Sequence, residues 1–151
     1  SKGNGSMLFG NTWKGFLKYE KDGTKVLRAK DPNENGKYLT KVKAENPELE
    51  PIFREYANKY FPIFEYSQVQ MNKSFPCPPH NDRNKGESIC VAFGDYLGGD
   101  LCIEMDLGNK NKNVIECDPR IKPVQFDGKK WKHWVKDFCR GDRYSLVFFN
   151  N

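Results

Sequence analysis

Short apolar runs recur through the second half of the chain, with Gly, Pro, Asn and Asp between them. They predict a mostly β fold of jelly-roll or sandwich type with one flanking helix, an α+β arrangement. Strand-like runs lie at 64–71, 88–93, 100–105, 114–117, 123–126, 133–138 and 143–149, and a single segment keeps helical spacing. A length of 151 residues suits one compact domain, with 1–63 expected as an N-terminal hairpin and supporting helix and 64–151 as the jelly-roll core.

The elements follow in order. Residues 12–20 alternate apolar and polar side chains, and Lys21-Asp22-Gly23-Thr24 supplies a turn into Lys25-Val26-Leu27-Arg28, which predicts a β-hairpin. A polar loop rich in Asn, Gly and Pro spans 31–37, and Asn46-Pro47-Glu48 then offers an N-cap, a first-turn proline and a favourable acid for a helix. Ile52, Phe53, Tyr56 and Tyr60 keep one helical face, expected to pack on the outside of the sheet. Tyr66, Gln68, Gln70 and Asn72 share one face of the next strand, an inward polar row that suits a ligand pocket better than a core.

No apolar run approaches the roughly 18 residues of a membrane span, and no basic region followed by an apolar stretch marks a secretory signal. The expectation is a soluble intracellular protein, cytoplasmic or nuclear, with residues 1–6 an appended or trimmed boundary. Five cysteines without a C-x-x-C pair argue against a zinc knuckle and a disulfide framework, so they read as reduced. Cys90 and Cys102 sit in apolar runs as small core residues, whereas Cys77, in Phe75-Pro76-Cys77-Pro78-Pro79, is placed to border a pocket.

The chain has only two histidines, His80 and His133. In an extended segment His80 and Asp82 point to the same side and can chelate one metal. Two imidazoles and one carboxylate form the facial triad that holds non-haem Fe(II) with open coordination positions, and His133 is the economical third ligand. An isolated H-x-D tripeptide is weak on its own, since most histidines are surface or hydrogen-bonded core residues. Arg143 and Ser145 strengthen it. They share a face of the last strand, and a guanidinium fork beside a hydroxyl suits the distal carboxylate of a dicarboxylic acid. If a tight turn at Arg140-Gly141-Asp142 joined the last two strands, Arg143 would lie roughly 20 Å from the level of His133. A wide loop or strong twist is therefore expected there.

The order H-x-D, distal histidine, R-x-S resembles the Fe(II)- and 2-oxoglutarate-dependent dioxygenases, over residues 64–151. Gly98-Gly99-Asp100-Leu101 looks like the turn between jelly-roll strands in that superfamily, and Phe126-Asp127-Gly128 like the turn before its distal histidine. Asn72, His80-Asn81-Asp82-Arg83-Asn84 and Arg143-Tyr144-Ser145 look most similar to the TET/JBP group of 5-methylpyrimidine oxygenases, without the large insertions of the animal enzymes. Prolyl hydroxylases compete, although many place a lysine where this chain has Arg143. The resemblance implies a double-stranded β-helix, the cupin-like jelly roll. It implies Fe(II), 2-oxoglutarate and O2 as cofactor and cosubstrates, with His80, Asp82 and His133 as catalytic metal ligands. Arg143 and Ser145 would bind the cosubstrate's far carboxylate, with Asn72 as a further contact. Decarboxylation of 2-oxoglutarate to succinate and carbon dioxide would be coupled to hydroxylation of a substrate carbon.

The partner is less sharply drawn. A net charge of +5 allows a polyanion, with basic residues gathered in 14–43 and 120–143. Lys129-Lys130-Trp131-Lys132 could meet phosphates and stack a base, or be a solvated hairpin loop. Arg83 and Asn84, beside the metal motif, are better placed to touch substrate, whether a base edge or a peptide backbone. Three classes follow: an oxygenase acting on 5-methylcytosine or thymine in DNA or RNA, a prolyl-type protein hydroxylase, and a non-catalytic binding module. Oligomeric state is open.

Overall fold

A computed structural model describes residues 4–12, 17–19, 25–27, 38–108 and 111–151. In chain order the elements are β1 (Gly5–Thr12), β2 (Leu17–Tyr19), β3 (Lys25–Leu27), β4 (Tyr38–Leu39), α1 (Lys41–Glu45), α2 (Leu49–Tyr60), β5 (Gln68–Lys73) and β6 (Lys85–Phe93). They continue with β7 (Leu97–Gly98), β8 (Leu101–Asp106), β9 (Lys112–Cys117), β10 (Val124–Phe126), β11 (Lys132–Val135), β12 (Phe138–Cys139) and β13 (Tyr144–Asn150).

All the paired strands run antiparallel. A six-stranded sheet has the order β10-β6-β13-β5-β1-β4, and a three-stranded sheet has the order β11-β8-β9. His80 adds to the smaller sheet through a single bridge to His133, and Val135 N–H donates to Cys77 O at 3.0 Å along the same edge. Between the two sheets Cys90, Val124 and Phe126 of the larger meet Leu101 and Ile103 of the smaller in one apolar cluster. This is the jelly roll expected of the strand spacing.

The outer face of the large sheet carries the helix. Phe53, Ala57 and Phe61 bury against Phe9, Val69, Ile89, Val91 and Phe148. Ring centroids stand 5.2 Å apart for Phe9 and Phe53 and 5.0 Å apart for Phe61 and Phe148, in edge-to-face contact. Ile52 and Tyr60, expected in that face, are instead 55% and 50% exposed. The buried stripe is centred on Phe53 and Ala57, one turn apart, and Ile52 lies a full residue step around the helix from it. Tyr60, the last helical residue, rests its ring on Tyr56 at 4.6 Å, while Phe61 takes the buried place.

Local chemistry shifts several boundaries. Asn46 does not cap the long helix. It closes α1, donating from Nδ2 to Val42 O at 3.0 Å, while Thr40 caps that helix by accepting from Lys43 N–H at 3.2 Å. The proline in the first turn of α2 is Pro51 rather than Pro47. β1 departs from the sequence expectation of a boundary over residues 1–6: pairing from Gly5↔Lys73 to Gly10↔Gln68 makes it an integral strand. The expected hairpin exists as β2–β3, registered from Leu17↔Leu27 to Tyr19↔Lys25. Its turn, the polar loop 31–37 and much of the basic stretch 14–43 lie outside the described residues.

The puzzle of Arg143 and His133 resolves in topology. β11 belongs to the small sheet and β13 to the large one, and the chain between them leaves both to pair β12 with β7. The two residues face each other across the roll rather than along one ladder. No helix among the described residues is long and apolar enough to cross a membrane.

Candidate active site

The bridge that joins His80 to His133 is a reciprocal pair: each backbone N–H donates to the other's carbonyl at 3.0 Å. Residues distant in sequence thereby become neighbours on one rung, with imidazole centroids 4.3 Å apart. Each ring is oriented from behind. Nδ1 of His80 lies 2.8 Å from Pro78 O, and Nδ1 of His133 lies 2.9 Å from Trp131 O. Those carbonyls accept the Nδ1 proton, which leaves both Nε2 lone pairs facing the same space.

Asp82 closes that space. Its Oδ1 is 3.2 Å from His80 Nε2 and its Oδ2 is 3.3 Å from His133 Nε2. One donor atom from each of the three residues lies within 4.8 Å of the others, so the group could hold a metal ion. A carboxylate set against two imidazole nitrogens can share a cation with them, and this donor set suits a borderline divalent ion. Burial lowers the pKa of His133, but hydrogen bonds to Asp82 and to the Trp131 carbonyl outweigh it and carry the net shift upward.

Gly128 makes the approach possible. Its carbonyl accepts the Asp82 N–H at 2.8 Å, and a Cβ at this position would overlap Asp82 Oδ2 and stand 3.1 Å from His133 Cε1. The Phe126-Asp127-Gly128 turn is held by Asp127, whose Oδ1 accepts from Lys129 N–H at 3.2 Å and Lys130 N–H at 3.0 Å.

The second charged feature is Arg143, only 4% exposed. Its Nε donates to Gly99 O at 3.1 Å, whereas Nη2 is buried without a hydrogen-bond partner. A buried guanidinium N–H left unpaired costs on the order of 1–3 kcal/mol, which an anionic ligand would recover. Beneath it lies Tyr96, 5.6 Å from the guanidinium carbon to the ring centroid, with Arg120 stacked on the ring at 3.9 Å. Burial pushes the Tyr96 hydroxyl up and the two cations partly offset this. Gly99, at φ 73°, lets the chain pass this stack: a Cβ there would come 2.8 Å from the Tyr96 ring and 3.1 Å from Arg143 Cδ.

Both features open into one cavity of about 720 Å³ between the sheets, lined also by Asn72, Ser145, Arg83, Asn84, Cys77 and Phe126. Asn72 donates from Nδ2 to Ser145 Oγ at 3.1 Å. Asn84 is buried, with Nδ2 on Ser88 Oγ at 2.9 Å and Oδ1 without a partner. Arg83 is exposed at the rim. Cys77 borders the cavity with Sγ 3.6 Å from His80 Nδ1, and burial raises its pKa. Cys90 and Cys102 are buried core residues, and burial lifts the Cys90 thiol to about 11. Lys129, Lys130 and Lys132 are exposed, and Lys130 lies over the Trp131 ring at 4.7 Å.

Of the expected polar row, Gln68, Gln70 and Asn72 line the cavity but Tyr66 does not. It packs on the opposite face, 5.0 Å from Phe148, because the regular alternation begins only at Gln68. Ser6, Gly128 in its steric role and Tyr96 were missed. Tyr96 lies just before the Gly98-Gly99 turn and the sequence marks Gly128 only as a turn residue, while nothing in it marks Ser6.

Neither protein-family models nor curated proteins match the chain. Similar solved structures include NgTET1 in complex with 5mC DNA, 19% identical, with a TM-score of 0.49 over 95% of this chain and 60% of that one. A 2OG-Fe(II) oxygenase-family oxidoreductase from Burkholderia pseudomallei is 17% identical, with a TM-score of 0.49 over 90% of this chain and 72% of that one. A Pseudomonas putida prolyl-4-hydroxylase is 16% identical, with a TM-score of 0.40 over 80% and 66% respectively. The chain therefore spans 60% of the length of the first of these.

Proposed function

We propose that this chain is an Fe(II)- and 2-oxoglutarate-dependent oxygenase that oxidises the methyl group of a 5-methylpyrimidine in nucleic acid. One observation carries the reaction class: three convergent metal-type donors and a buried guanidinium with an unpaired N–H share a single cavity. His80, Asp82 and His133 would hold the metal. Arg143 and Ser145 would hold the far carboxylate of the cosubstrate, with Asn72 beside them. When bound, Fe(II) with 2-oxoglutarate and O2 supplies the oxidation, in which decarboxylation to succinate and carbon dioxide is coupled to hydroxylation of a substrate C–H bond.

The chain's own work is orientation and exclusion. The carbonyls of Pro78 and Trp131 fix the imidazole tautomers. Leu101, Phe126 and Val147 line the cavity with apolar surface, which would limit water around the reacting groups. Asn84, whose buried Oδ1 lacks a partner, would receive an N–H donor of the substrate, and Arg83 at the rim would meet a phosphate. Asn81 Nδ2 ties the H-x-D segment to Lys129 O at 3.2 Å, so the exposed Lys129 and Lys130 would add positive charge near that segment. Five unpaired cysteines fit a reducing, intracellular setting.

A protein hydroxylase is the second reading. It is favoured by a groove sharing the Pro76-Cys77-Pro78 wall and lined by Pro79, Trp134 and Phe138, which suits an extended peptide. The test is succinate release by anaerobically iron-loaded protein given 2-oxoglutarate and O2, with methylated DNA, methylated RNA and proline-rich peptides offered separately. Stimulation by methylated nucleic acid, falling steeply with salt, is expected. Stimulation by peptide alone would replace the substrate, and no succinate with iron demonstrably bound would overturn the reaction class.

A further inference from the structure

The strand that the sequence did not announce reaches into the cavity. Ser6, on β1, lies opposite Asn72 on β5, which lies opposite Ser145 on β13. The three side chains form one row of hydrogen bonds across three strands. Ser6 Oγ donates to Asn72 Oδ1 at 2.8 Å, and Asn72 Nδ2 donates to Ser145 Oγ at 3.1 Å. Gln70 Nε2 begins the row by donating to Ser6 Oγ.

The row has a direction. An amide nitrogen can only donate, so with Gln70 Nε2 facing it Ser6 Oγ accepts there and gives its single proton to Asn72 Oδ1. That contact fixes the Asn72 amide with its nitrogen toward Ser145, so that Ser145 accepts there and its own O–H is turned to the cavity. Two residues earlier on the same strand side stands Arg143, with its unpaired Nη2. Were both amides turned over, Ser145 would donate to Asn72 and present lone pairs to the same space, opposing any anion. Only the first sense gives the anion a second donor.

We infer that Ser6 is a positioning residue for the distal carboxylate of the cosubstrate, acting through Asn72 to make Ser145 a donor beside Arg143. The inference rests on the 2-oxoglutarate reading above. It makes the N-terminal strand part of the cosubstrate site rather than an edge added to the sheet.

The test is calorimetric titration of Mn(II)-loaded protein, without oxygen, using 2-oxoglutarate and, separately, pyruvate, which keeps the keto acid but lacks the distal carboxylate. Ser6→Ala should weaken 2-oxoglutarate about three- to ten-fold, as expected for a hydrogen bond lost at one remove from a charged group. It should leave Mn(II) and pyruvate affinities unchanged, and Ser6→Thr, which keeps the hydroxyl, should restore 2-oxoglutarate binding. Unchanged 2-oxoglutarate affinity in Ser6→Ala, or equal weakening of pyruvate, would overturn the inference. Failure of the reading beneath it looks different: wild-type protein would bind 2-oxoglutarate no better than pyruvate, and Arg143→Ala would change neither.

Discussion

The two faces of the large sheet are made by the same strands and do opposite work. On β5, Val69 and Met71 turn outward into the aromatic cluster under α2, while Gln68, Gln70 and Asn72 turn inward. On β13, Leu146 and Phe148 turn outward and Ser145 inward. The outer face is filled by ring-on-ring packing around Phe148, which has no exposed surface. The inner face keeps a cavity and an unpaired guanidinium. Period-two alternation thus separates core packing from the proposed ligand site within one backbone, so variants on one face should spare the other.

Variants on the two faces should separate accordingly. Phe148→Ala should cost about 3–5 kcal/mol of stability, read by urea denaturation, with Mn(II) affinity of the folded protein unchanged. Loss of Mn(II) binding in protein that is still folded would break the division. Asp82→Ala and Gly128→Ala should each weaken Mn(II) binding by at least about ten-fold, read by calorimetry, with the denaturation midpoint of the metal-free protein barely moved. Gly128→Ala sharpens the point because its added methyl touches the carboxylate and removes no ligand.

Arg143→Met should weaken 2-oxoglutarate at least about ten-fold, because it would remove the proposed charge-assisted clamp. The metal-free protein, assayed by the same urea titration, should be no less stable than wild type, since an apolar side chain replaces a buried charge that lacks a full set of partners. A large destabilisation would mean that Arg143 serves the fold through Tyr96 more than it serves a ligand. Tyr60→Ser, on the exposed end of α2, should change stability by no more than about 0.5 kcal/mol.

The strand-rich half was legible because alternation and turn residues both report on a half-buried sheet, and each expected run from 88 onward holds a strand. The helix was legible but its face was displaced, since Ile52 and Phe53 cannot both centre one stripe. Asn46 misled because an Asn-Pro pair reads as a helix start whether it begins one helix or closes the helix before. In the site, H-x-D and R-x-S were visible as local chemistry, and the two-sheet topology explains a spacing that a single ladder could not. Ser6 and Tyr96 were invisible for one reason: their partners lie far away in sequence, and only strand pairing and turn geometry bring them in.

The mutual hydrogen bonds of His80 and His133 have an evolutionary consequence. The spacing between the two imidazoles is set by a rung of sheet, so it does not depend on the length of chain that separates them. Leu107, Gly108 and Asn111, between β8 and β9, lie within that intervening chain, and these described residues line neither the cavity nor the bridge. Insertions there would lengthen the protein while leaving the ligand distance untouched. A scaffold of this kind can acquire new surface, and with it new partners, without renegotiating its chemistry.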